Sequence, residues 1–182
     1  MKIHQLWATP LVQNEIPHEL CSRVLDELPK PSDDNDRGSL DFNVWQLPGQ
    51  AIQDLRARLE ETVKLIVPGD CAWDTRLGRG WINFQTAGES NSLHHHGETS
   101  IVMICYLQAG PGAADLILVD PRPPSIWTSR IENGKSGRSF LRVRPYTGLV
   151  VCFPGYIMHA VEPHVEPIPR ISLATNFWVQ HS

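Results

Sequence analysis

Apolar and polar positions change rhythm part-way along the chain. Between His18 and Leu28, apolar side chains at Leu20, Val24, Leu25 and Leu28 recur at helical spacing, and Pro17 stands where a helix favours its first residue. The same period returns at Ile52, Leu55, Leu59, Val63 and Ile66, and Pro68-Gly69 stops it. The pattern predicts two helices, over 18–28 and 50–66. Ahead of them, residues 1–16 read as a short strand centred on 6–12. Pro29, Pro31 and the polar run from Ser32 to Asp36 read as a loop. From Arg79 onward the apolar runs are short, β-branched or aromatic: 81–85, 100–107, 115–119, 139–143, 149–153 and 171–179, separated by Gly and Pro turns. Two helices and then six or more short strands predict a mainly β protein with flanking helices, an antiparallel sandwich or barrel. The segment from Arg122 to Arg138 holds Pro123-Pro124, Gly134 and Gly137 and reads as a long loop or hairpin of the kind that covers sites. No repeat and no second-domain boundary interrupts the pattern. The expectation is a single domain over 1–182, with a strand and two supporting helices in 1–78 and the β core in 79–182.

Composition narrows the function classes. The net charge is −4 with no basic run, which argues against nucleic acid as a partner. No apolar stretch approaches the roughly 20 residues of a membrane helix, and the N-terminus lacks a secretory apolar run. Cys21, Cys71, Cys105 and Cys152 are scattered without a CxxC pair, as free thiols in a reducing compartment would be. A cytoplasmic protein is the expectation; a homodimer is left open.

Candidate chemistry lies in two separated patterns, Gly88-x5-His94-x-His96 and Gly148-x5-Pro154-x4-His159. In a strand, side chains two apart share a face, so His94 and His96 would point together and His95 away. His159 reaches them only through the fold. Neutral imidazole binds iron, zinc, copper or nickel, so the ligands alone do not name the metal. A solvated loop would account for His94–His96 and a core contact for His159; taken together with the glycine-led spacings, a metal centre accounts for both. Glu98 forms a second His-x-carboxylate pair with His96 and is a reserve ligand. His4, His18, His164 and His181 lack such partners and read as surface residues. Arg170 and Ser172 lie two apart after His159, and a guanidinium with a hydroxyl on one strand face suits a carboxylate. Tyr106, on the strand after the ligand pair, is placed to add a phenol.

In this order the motifs resemble the double-stranded β-helix (jelly-roll, cupin-like) iron(II)/2-oxoglutarate-dependent dioxygenases, most closely a small bacterial and phage branch of 2-oxoglutarate/iron oxygenases. The carrying segments are Leu6–Leu11, Trp81-Ile82-Asn83, the two histidine patterns, Cys105-Tyr106-Leu107, Val119-Asp120-Pro121, Gly148–Pro154 and Arg170–Phe177. The resemblance implies Fe(II) at His94, His96 and His159. It implies 2-oxoglutarate as co-substrate, with its distal carboxylate at Arg170 and Ser172 and with Tyr106 and Asn83 nearby. It departs from the wider superfamily at His96, where Asp or Glu is commoner. The reaction implied is hydroxylation of an unidentified small-molecule or peptide substrate, with decarboxylation of 2-oxoglutarate to succinate.

Two rivals share the histidines. One is a cupin-type dioxygenase or isomerase that does not use 2-oxoglutarate; the other is a non-catalytic metal- or sugar-binding module. Arg170 with Ser172 discriminates against the first, and turnover of 2-oxoglutarate against the second. Trp7, Trp45, Trp73, Trp127 and Trp178 are candidates to line a pocket, although buried tryptophans more often belong to a core.

Overall fold

The computed structural model describes residues 9–29, 38–40, 42–67, 73–121 and 140–181. The 122–138 loop, Cys71, Trp7 and Trp127 lie outside them, as do residues 6–8 of the strand expected around 6–12; the described part of that segment becomes strand only from Val12.

A short strand, β1 (Val12–Glu15), precedes helix α1 (His18–Glu27). Strand β2 (Gly38–Leu40) and a single 3-10 turn at Val44–Gln46 lead to helix α2 (Gln50–Val63). Eight strands follow: β3 (Trp73–Gln85), β4 (Asn91–His94), β5 (Ile101–Gln108), β6 (Leu116–Val119), β7 (Phe140–Val143), β8 (Leu149–Pro154), β9 (His159–Val161) and β10 (Arg170–His181). Both predicted helices are present. The second ends at Val63 rather than Ile66, where the chain tightens into 3-10-type bonds from Leu65 to Thr62 and from Ile66 to Val63. The strand expected at His94 is present as β4, and two further short strands carry no pattern of their own. Strands β2 and β9 have three residues each, too few to show a period.

All pairings are antiparallel. One sheet has the order β1-β8-β5-β10-β3-β2 and the other β4-β9-β6-β7. Strands β3 to β10 pass back and forth between the two sheets, which makes a double-stranded β-helix. The N-terminal segment is more than a support, because β1 and β2 extend the larger sheet at its two edges.

Two apolar layers follow from the strand faces. Met103, Cys105, Leu107, Val150, Cys152 and Leu173 point out of the larger sheet onto the helices, where Leu20, Val24, Ile52, Leu55 and Leu59 meet them. Val102, Ile104, Tyr106, Val151 and Phe153 point inward to Leu116, Leu118, Val143 and Val161 of the smaller sheet. Strands β5 and β8 are therefore covered on both faces, which is why they read as unbroken apolar runs. Each fully buried Leu, Ile or Val is worth about 1.5–3 kcal/mol, so Leu55→Ala, at a position with no exposure, would cost about 2–5 kcal/mol. The helices are also joined end to end. Glu27, at the end of α1, accepts from the Ala51 and Ile52 amides at 3.0 Å each, placing a carboxylate on the N-terminus of α2.

Candidate metal and anion site

The cleft between the sheets has two chemically distinct walls. On the smaller sheet, β4 pairs with β9 so that His94 stands directly opposite His159. Their ring centroids are 4.3 Å apart, and that of His96 is 5.4 Å from His94 and 5.0 Å from His159. One ligating nitrogen from each lies within 4.8 Å of the others.

His96 does not arrive by strand alternation as expected. Strand β4 ends at His94, and the chain turns through Gly97, with φ +58°. His96 is held instead by its amide, which donates to the Gly155 carbonyl at 3.1 Å, and by its ring, which stacks on Trp81. His95 points away: it is exposed, and its Nδ1 accepts from the Gly97 amide. Glu98 is exposed beyond the turn and stands outside the histidine group.

The tautomers follow from the acceptors. His94 Nδ1 lies 2.7 Å from the Ser92 carbonyl and His159 Nδ1 2.9 Å from the Ile157 carbonyl; a carbonyl only accepts, so both Nδ1 atoms carry hydrogen and both Nε2 atoms are left as donors to a metal. His96 Nδ1 meets Asn176 Oδ1 at 2.7 Å, with the same outcome. Burial pushes the His159 pKa down to about 4 and lowers that of His96, so both rings are neutral at ordinary pH, as ligation requires.

The opposite wall comes from three neighbouring strands of the larger sheet. Ser172 of β10 is paired with Asn83 of β3 on one side and with Tyr106 of β5 on the other. Arg170, 2% exposed, pairs with Gln85. Its Nη2 donates to Gln85 Oε1, and Gln85 Nε2 donates on to Asn91 Oδ1. Arg170 Nε and Nη1 and the Tyr106 hydroxyl are buried without a hydrogen-bond partner. Burial drives the Tyr106 pKa up to about 12 against the opposing pull of the Arg170 charge, so the phenol stays protonated. All four anion-site candidates and all three histidines line one cleft between the sheets.

The sequence reading missed several residues here. Gln85 and Asn91 hold Arg170 across β3, β4 and β10. Asn176 continues the i, i+2 face of Arg170 and Ser172, which was a readable signal. Trp81 lines the cleft, whereas Trp45 is a core residue whose Nε1 donates to Thr175, and Trp178 is not among the lining residues. His164 is not a surface residue. It is fully buried, its Nε2 donates to the Ile168 carbonyl, and its backbone bonds to Gly88 and Glu89 clamp the turn into β4. Gly88 makes that turn with φ +90°.

Residues 79–176 match the family model described as "Putative 2OG-Fe(II) oxygenase", more than half of the chain. The chain belongs to this family. It is a 2-oxoglutarate- and iron(II)-dependent non-haem oxygenase, and its fold is shared with solved structures. HygX from Streptomyces hygroscopicus, solved with nickel and 2-oxoglutarate bound, superposes with a TM-score of 0.66 at 14% identity, covering 93% of this chain and 82% of that one. The viral collagen prolyl hydroxylase vCPH from Paramecium bursaria Chlorella virus-1 gives 0.63 at 12% identity, covering 92% and 94%. A Pseudomonas putida prolyl-4-hydroxylase gives 0.59 at 18% identity, covering 94% of each chain. At these identities the likeness is one of fold. No curated protein matches the sequence.

The oxygenase's own residues fit its two cofactors. Three imidazoles with Nε2 free suit iron(II), and a buried guanidinium with two unpartnered nitrogens suits an anion. Among the described residues no helix is long and apolar enough to cross a membrane.

Proposed function

We propose that this oxygenase is a hydroxylase in which His94, His96 and His159 hold iron(II) and Arg170, Ser172, Tyr106 and Asn83 receive the distal carboxylate of 2-oxoglutarate. The observation that carries the assignment is Arg170. A guanidinium buried with two nitrogens unpartnered is costly unless an anion completes it. A metal centre used without a dianionic co-substrate has no need of that arrangement, which sets the cupin reading aside.

In this reading each wall has a task. Iron supplies the redox chemistry with dioxygen that side chains cannot. His94, His96 and His159 would hold it through the Nε2 atoms that their Nδ1 hydrogen bonds leave free. Arg170 grips one carboxylate as a planar fork, and Ser172 and the protonated Tyr106 add donors that orient it. Ile104, Val161 and Ala174 give the cleft apolar lining, which keeps water from the reacting centre. The overall change is substrate, dioxygen and 2-oxoglutarate to hydroxylated substrate, succinate and carbon dioxide.

The substrate expected is a small molecule or a side chain of a peptide. Net charge −4 argues against nucleic acid. Cys21, Cys105 and Cys152 are free and buried, which supports a cytoplasmic setting. The test is turnover. Protein with Fe(II), ascorbate and 2-oxoglutarate should form succinate, faster with a cell extract, and mass spectrometry should find a product 16 mass units heavier. No succinate under any of these conditions would refute the assignment.

A further inference from the structure

Two of the three imidazoles are oriented by the chain's own backbone. His94 and His159 each donate from Nδ1 to the carbonyl two residues earlier, Ser92 and Ile157, an arrangement no side-chain substitution removes. His96 lies beyond the end of β4 and makes no such bond. Its Nδ1 donates instead to Asn176 Oδ1 at 2.7 Å, from a residue 80 positions away.

Asn176 is presented for this by β10. It lies on the inner face with Arg170, Ser172 and Ala174 and pairs with Val102 of β5. On its other side the β10–β3 register shifts between Thr175 and Phe177, so that one β10 residue stands against the two β3 residues between Leu77 and Gly80. Irregularities of this kind re-aim side chains beside functional sites. The indole of Trp81 stacks on the same imidazole at 5.6 Å and 28°. Ring rotation is thereby set by Asn176 and ring tilt by Trp81.

We propose that Asn176 is a positioning residue of the metal centre: its amide oxygen fixes the tautomer and rotation of His96 so that Nε2 faces the ion. This rests on the assignment of the three histidines as ligands. Of the three orienting bonds it is the only one made by a side chain, so it can be removed by a substitution that leaves all three ligands in place. A polar acceptor behind a ligating imidazole also raises its basicity, and loss of such partners typically weakens metal binding about 10–100-fold.

The experiment is anaerobic calorimetric titration of Co(II) into metal-free wild type, Asn176→Ala and Asn176→Asp, with visible absorption spectra and thermal melts of each. Asn14→Ala serves as control, since Asn14 bonds Thr62 away from the cleft. Asn176→Ala should bind Co(II) about 10–100-fold more weakly, with an altered ligand-field spectrum and an unchanged melting temperature. Asn176→Asp keeps an acceptor at the same reach and should restore affinity to the wild-type level or above. Asn14→Ala should match wild type. Equal affinity in Asn176→Ala and wild type overturns the proposal while leaving the ligand set standing. Equal losses in Ala and Asp, with lowered melting temperatures, overturn it as well, since Asn176 would then act through packing. Wild type that binds no Co(II) overturns both the proposal and the ligand assignment.

Discussion

Replacing Arg170 with methionine should move affinity and stability in opposite directions. The guanidinium is 2% exposed, and only Nη2 has a partner, Gln85; its carbon centre lies 5.4 Å from the Tyr106 ring. Without an anion, the folded state carries a charge that lost its hydration and recovered little. Methionine removes that charge and keeps most of the volume. The cost is Gln85 Oε1 left unpaired, about 1 kcal/mol, against several kcal/mol for an under-compensated buried ion. The metal-free, co-substrate-free variant should therefore melt at or above the wild-type temperature. Binding of 2-oxoglutarate should weaken. Hydrogen bonds to a charged group contribute about 1.5–3 kcal/mol, and Ser172 and Tyr106 remain to hold part of the carboxylate. A loss of about 1.5–4 kcal/mol is expected, roughly 10- to 1,000-fold in Kd. Calorimetric titration of 2-oxoglutarate into anaerobic, iron-loaded protein measures the first effect, and thermal melts of the apo forms the second. Equal affinities in variant and wild type would refute the reasoning. So would an apo melting temperature lower by more than about 6 °C, roughly 2 kcal/mol for a chain of this size.

His159→Ala should abolish Co(II) or Fe(II) binding and leave the fold intact, whereas His164→Ala should bind metal but melt earlier, because it removes a buried ring that ties the 162–168 segment together; the same two measurements on both variants separate the roles. Apo stability should fall as pH drops below about 6.5, where an unfolded His159 takes up a proton that the folded protein refuses until about pH 4. The unfolded state binds more protons throughout that window, so stability rises with pH across it by up to about 3 kcal/mol, and denaturant titrations at pH 4.5 and 7 should show the difference shrinking in His159→Asn. Gly155→Ala would place a Cβ 2.0 Å from the Thr99 carbonyl oxygen, so the turn that holds the His96 amide must shift; weaker metal binding with about 1–3 kcal/mol of lost stability is expected, read by titration and melts.

The parts of this fold legible in the sequence are those whose signal is local. Helix α1 shows its period and α2 its stop, and β5 and β8 are apolar without interruption because both faces are covered. His94, His159, Arg170 and Ser172 carry spacing that strands convert into shared faces. The residues that escaped notice act across long separations. Gln85 is a plain polar residue until β10 places Arg170 opposite it. His164 looks solvated because its partners are backbone groups at Ile168, Gly88 and Glu89, which no side-chain pattern announces. His96 was read correctly as a neighbour of His94 and wrongly as a strand residue. The short β4 ends too soon, and a turn does what alternation was expected to do.

The division of the cleft between sheets bears on how long the protein lasts in a cell. Imidazoles come from the four-stranded sheet and the turn after β4, while the anion groups come from the six-stranded one, which among the described residues is the sheet backed by helices. On the proposed assignment, a co-substrate held between the histidine wall and Arg170 would brace the smaller sheet against the larger. Saturation to 100 times Kd adds about 2.7 kcal/mol to the folded state, and strands β4 and β9 stand to gain most of the protection. Proteases sample the opened form, so occupancy sets the rate of degradation. On that assignment, supply of 2-oxoglutarate would bear on how long each molecule survives as well as on how fast it turns over substrate.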